Sequence, residues 1–239
     1  MHDFGRLVYL DLQKSGSTFV SRFLNETCRL QLVKEIKHGR IEEDYDPNAF
    51  YFITIRHPIA QYSSLFRYGL DGRGALHHHL SQQGKAGLYR KDAASFNQWL
   101  RFILDHHNAD MLGEGFEKVP ESFDLGFLSF RYLMLSLARP LETLLSKEEG
   151  IDVAEFAKRR SIVQHTVRNE RLNQGLRELA LDLKPEYFDA RKVDKFFKRP
   201  KTINVSKVGD EMINIIDDDV REMICRKERV LLSHYSDSR

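Results

Sequence analysis

The stretch FYFITI, residues 50–55, runs straight into Arg56-His57-Pro58, and it constrains the chain more than any other feature. Six consecutive β-branched or aromatic residues suit a strand buried on both faces, the position found inside parallel sheets. Pro58 falls where a first helical turn begins, because its fixed φ is already helical and its missing N–H costs nothing there. The pattern PIAQYSSLFRYG then predicts a helix that stops at Gly69. A strand that delivers the chain directly into a helix is one half of a parallel crossover.

The N-terminal region repeats the pattern. RLVYLDL, residues 6–12, reads as a strand, and Phe19, Val20, Phe23 and Leu24 recur at helical spacing within 17–29. QLVKEIK, 31–37, alternates weakly and predicts a short second strand, followed by a polar loop over 38–48. Residues 70–92, rich in Gly, His and Gln, read as a long excursion, and 93–160 as mostly helical. SIVQHTV, 161–167, predicts a late strand, 169–183 a helix, and 217–234 a last amphipathic segment. Without an internal repeat or a flexible linker, one domain over residues 1–239 is expected. Strands alternating with helices imply an α/β class with a central parallel sheet. Such sheets bind ligands at the carboxyl ends of their strands.

Composition narrows the partners. The chain is 239 residues long, 41% hydrophobic and 30% charged, which suits a globular protein and excludes a disordered or fibrous one. A net charge of +2 gives no general attraction to nucleic acid, so any anion site must be local. Two cysteines, Cys28 and Cys225, make no disulfide framework and point to a reducing compartment. The N-terminus carries no secretory pattern, and no stretch reaches the ~20 apolar residues that cross a bilayer. A soluble, cytoplasmic protein with no membrane insertion is expected.

Both strong strands end in residues suited to anions. Lys14-Ser15-Gly16-Ser17-Thr18 follows the first strand and opens a helix. Consecutive backbone N–H groups and the helix N-terminus form an anion cradle there. Gly16 permits close backbone approach, the hydroxyls add donors, and Lys14 adds a full charge. The order differs from G-x-x-x-x-G-K-[ST], the nucleoside-triphosphatase loop, whose lysine follows its glycines. At the end of the second strand, Arg56 presents a planar fork matched to phosphate oxygens, with Ser64 eight residues on. Taken singly, the first loop reads equally as an ordinary turn before a serine-capped helix, and Arg56 as a surface charge. Two such sites, each after a strand, favour the anion reading.

The two stretches resemble the donor-binding motifs of sulfotransferases, chiefly over residues 7–68. Lys14 to Thr18 is similar to the 5′-phosphosulfate loop, K-[ST]-G-[GST]-[ST]. Arg56-His57-Pro58 with Ser64 is similar to the 3′-phosphate motif of that family. The resemblance implies a P-loop-like, three-layer α/β/α fold and the donor 3′-phosphoadenosine 5′-phosphosulfate (PAPS). It implies Lys14 at the bridging oxygen, residues 15–18 around the 5′-phosphate, and Arg56 and Ser64 at the 3′-phosphate, with no metal required. TVRNERL, 166–172, resembles a late strand leading to an E-[NR]-L element, here Glu170-Arg171-Leu172, and NVS, 204–206, a later N-x-S element. One departure is Gln61, where many carbohydrate-type members carry a second arginine.

Transfer to a hydroxyl needs a base, and histidine is the usual choice near neutral pH. His38 lies between the two motifs, where carbohydrate-type members often carry a histidine or glutamate; Glu35, Glu42 and Glu43 compete. The His77-His78-His79 and His106-His107 runs lack the i, i+4 spacing of a helical metal site and read as solvated faces. The expected reaction is sulfuryl transfer to a hydroxyl acceptor, an oligosaccharide or polysaccharide. A P-loop kinase or other phosphotransferase, and a non-catalytic nucleotide-binding protein of the same fold, are the alternatives.

Overall fold

The computed structural model describes residues 1–198 and 215–236. Its strands are β1 (His2–Asp3), β2 (Leu7–Leu10), β3 (Lys34–Glu35), β4 (Phe50–Ile55) and β5 (His165–Arg168). The principal helices in chain order are α1 (Ser17–Thr27), α2 (Pro58–Leu70), α3 (Ala75–Gln82) and α4 (Ala93–Leu104). They are followed by α5 (Phe127–Ser136), α6 (Leu172–Glu178), α7 (Ala190–Lys198) and α8 (Asp218–Lys227). Among the described residues, the chain divides into two compact units. One comprises 1–57, 132–147 and 157–198; the other comprises 58–131, 148–156 and 215–236.

The first unit holds a five-stranded mixed sheet in the order β3-β1-β2-β4-β5. β2, β4 and β5 run parallel, while β1 pairs antiparallel with both β2 and β3. All four residues of β2 are buried, as are five of the six in β4. Near-complete burial explains why FYFITI is continuous rather than alternating. Leu7, Tyr9, Phe52 and Val167 line one face and pack with Val20, Phe23 and Leu24 of α1, Leu176 of α6 and Val193 and Phe196 of α7. Phe23 meets Phe196 edge-on at 5.2 Å and Phe188 stacked at 5.7 Å. Offset and edge-on pairs of this kind add to simple area burial.

Three buried hydroxyls cross the sheet toward the loop after β2. Ser15 Oγ donates to the Leu12 carbonyl at 2.7 Å. That carbonyl can only accept, so the Ser15 oxygen accepts in turn from Thr54 Oγ1 at 2.8 Å, and Thr54 from the Tyr9 hydroxyl at 2.7 Å. Burial, reinforced by the Asp11 charge, pushes the Tyr9 phenol up, so it stays protonated and can start the chain. All three residues are fully buried.

The second unit is helical. Phe66, Phe96 and Trp99 pack together, with Tyr89 stacked on Phe66. Glu228, just past α8, is wholly buried and accepts hydrogen bonds from the Tyr62 hydroxyl, from Ser129 N at 2.6 Å and from Leu128 N at 3.3 Å. It thereby serves the otherwise unmatched N–H groups at the start of α5, and burial pushes its carboxyl up. A Cβ on Gly126 would run into the Glu228 carboxylate, which would have to shift away from the partners it serves.

Several sequence expectations change. The strand expected over 31–37 is only Lys34–Glu35, exposed and antiparallel at the sheet edge, because its apolar residues are too few to bury. β1 was not anticipated; it is two residues long. The excursion over 70–92 contains α3, anchored by buried Leu76 and Leu80. The late strand starts at His165, after its predicted 161, and reaches Arg168. The NVS element, 204–206, lies outside the described residues.

Replacing Thr54 with valine keeps the shape but strips Tyr9 of its acceptor and Ser15 of its donor. A loss of about 1–3 kcal/mol is expected, the cost of a buried polar group left unmatched. The urea midpoint of purified Thr54→Val protein measures it, and an unchanged midpoint would show the hydroxyl chain to be dispensable.

Candidate functional site

The site is built at the carboxyl edge of the three parallel strands. In the register, Leu10 of β2 pairs with Ile53, and Ile55 of β4 with Arg168 of β5, so the three strands end side by side. From them leave the loop 11–16, the Arg56-His57 turn and the Asn169-Glu170 turn. α1 begins from Gly16 at φ 99°, with no side chain capping it. Its first N–H groups lack intrahelical acceptors and carry the positive end of the helix dipole. Lys14 precedes them at φ 63°, a left-handed conformation uncommon for a non-glycine residue. Such strain persists only where the surroundings enforce it.

The five residues of the loop play different parts. The Ser15 hydroxyl, which the sequence suggested as a ligand donor, is turned inward to Leu12 and Thr54. Ser17 engages the Asp11 carboxylate, and Thr18 is exposed in the first turn. Lys14 and Gly16 are half-buried.

The turn after β5 ties the other two exits together. Asn169 Nδ2 donates to the Ser15 carbonyl at 3.0 Å, and Glu170 Oε1 accepts from His57 N at 2.9 Å. Glu170 thus fixes the turn that follows Arg56. Burial lowers the proton affinity of His57, with Glu170 acting in the opposite sense. Arg56 is half-buried at the mouth of β4. Ser64, half-buried, and Gln61, wholly buried, both lie on α2 in the second unit.

His38 comes to this same edge, although the strand expected to carry it there is nearly absent. Its Nδ1 lies 2.7 Å from the Asp11 carbonyl and 3.4 Å from Asp11 Oδ2. Asp11, one residue past β2, escaped the sequence reading. Its signal was a lone carboxylate near the end of the RLVYLDL run. Burial opposes its ionisation, but the His38 hydrogen bond and charge, the N-terminal ammonium and Ser17 outweigh it and hold the carboxyl below the usual range. Of the rival bases, Glu35 lies 3.1 Å from His2 Nε2, and Glu42 and Glu43 are exposed.

The histidine run of α3 turns to its own helix. His77, His78 and His79 each approach the residue four ahead: Ser81, Gln82 and Gln83. Among the described residues, no three His, Cys, Asp or Glu side chains converge as a metal site would require. No helix among them is long and apolar enough to cross a membrane. Comparison with protein-family models, curated proteins and solved structures returned no match.

A side chain at position 16 has no room. An added Cβ would stand 2.7 Å from Asn169 Nδ2 and 3.0 Å from Leu172, in a conformation that L-residues avoid. Gly16→Ala is therefore expected to lose about 1–3 kcal/mol and to loosen the Asn169 tie. Thermal unfolding checks this, and a variant as stable as the parent would show that the loop relaxes freely.

Proposed function

We propose that this chain is a sulfotransferase of P-loop-like, three-layer architecture. It would move a sulfuryl group from PAPS to a hydroxyl acceptor, on an oligosaccharide or polysaccharide. The observation that carries the reading is the pair of cationic exits, Lys14 after β2 and Arg56 after β4, held to one edge by Asn169 and Glu170. A bisphosphorylated adenosine presents two anionic ends, and two separate cationic grips suit it better than one.

The donor's chemistry asks for positioning and charge stabilisation more than covalent help. The N–H groups at the start of α1 and residues 15–18 hold the 5′-phosphate end. Lys14 stands at the loop entrance, where its ammonium stabilises the negative charge that grows on the bridging oxygen as the sulfur–oxygen bond breaks. Arg56 grips the 3′-phosphate. His38 takes the acceptor's proton as its oxygen bonds to sulfur. The two free cysteines, Cys28 and Cys225, fit a cytoplasmic setting.

Three nucleotides test the donor class. Adenosine 3′,5′-bisphosphate (PAP) is expected to raise the melting temperature more than adenosine monophosphate or adenosine triphosphate at equal concentration. Preferential stabilisation by the triphosphate with magnesium would instead favour a phosphotransferase. Arg56→Ala should weaken the bisphosphate by about 2–5 kcal/mol, typical of truncating one partner of a buried charge pair. Lys14→Ala should lower turnover far more than it lowers that affinity. Calorimetry and a radiolabelled sulfate assay read the two effects, and an Arg56→Ala protein binding PAP unchanged would sink the second grip.

A further inference from the structure

We infer that Asp11 is a positioning residue for His38, keeping the imidazole proton on Nδ1 and the basic lone pair on Nε2. Its consequence for catalysis rests on the transfer reaction proposed above; the geometry does not. The Asp11 carbonyl, 2.7 Å from Nδ1, can only accept, so Nδ1 must carry the hydrogen. Nε2 is then the ring's acceptor, as a general base requires. The carboxylate of the same residue stands beside Nδ1, with Oδ2 at 3.4 Å, where it stabilises the imidazolium formed once the base has taken a proton.

Two features mark this as a built arrangement. Asp11 is 4% exposed, and an ionised carboxylate is kept from water only where partners compensate it. His38 is held at φ 55°, a left-handed conformation uncommon for a non-glycine residue, with its ring against residue 11. Asp11 and His38 are 27 positions apart, so only the fold pairs them. The other groups facing Asp11 are the Met1 ammonium, the His2 ring, the Ser17 hydroxyl and the neutral Tyr9 phenol. Among these, the ammonium adds positive charge, so His38 does not bear the whole compensation.

Asp11→Asn keeps the size and the backbone carbonyl and removes the charge. With PAPS and an accepted hydroxyl substrate, kcat should fall about tenfold while KM for PAPS and affinity for PAP hold. In a His38→Ala background the same change should cost nothing further. An equal loss in that background, or a kcat left unchanged by Asp11→Asn, overturns the assignment.

Ring nitrogen spectra of ¹⁵N-histidine-labelled full-length protein, with His38→Ala used to assign the signal, give a readout independent of activity. They should show the Nδ1–H tautomer above neutral pH, and an Nε2–H tautomer overturns the pairing. If no acceptor is ever sulfated, the transfer reading fails, and the ring spectra still decide whether Asp11 holds His38.

Discussion

The inward turn of Ser15 is the constraint on which the site depends. A hydroxyl sealed from water must find partners or cost several kcal/mol, and this one finds Leu12 and Thr54. The relay from Tyr9 through Thr54 to Ser15 joins β2, β4 and the loop in a single line of donors. Beside the pinned Ser15, Lys14 and Gly16 both lie in left-handed backbone, and the chain turns from strand into helix within a few residues.

The turn after β5 does the corresponding work from the other side. Asn169 and Glu170 are adjacent, yet one holds the Ser15 carbonyl and the other the backbone of His57. Parallel pairing makes this possible, because it brings all three strand ends to one edge whatever their separation in sequence. Lys14 and Arg56, 42 positions apart by number, therefore belong to one rim. The strand register aligns the exits, and the side-chain amide and carboxylate of the turn after β5 lock them.

Much of this frame was legible in the sequence where local and tertiary preferences agree. FYFITI forms the strand Phe50–Ile55, and the helix from Pro58 runs to Leu70, one residue beyond the expected stop. Legibility failed where burial was not written into the segment itself. QLVKEIK has the alternation of a strand but leaves its two paired residues exposed. GRGALHHHLSQQG looks like loop, yet Leu76 and Leu80, four apart, are enough to seat a helix. Ser15 looked like a ligand donor because sequence shows that a hydroxyl is present but not which way it faces.

By itself, the sequence determined the elements and the chemistry available at their ends: two β–α exits, a lysine and a glycine at one, an arginine at the other. Those follow from local rules, since strand burial, proline φ and glycine freedom act within a few residues. Tertiary structure alone decided that Asp11 meets His38, that Asn169 and Glu170 tie the exits, and that Thr54 receives Tyr9 and serves Ser15. These contacts join residues 27 to 154 positions apart. No periodicity encodes them; they exist because parallel strands gather distant chain at one edge and because buried polar atoms must be matched there.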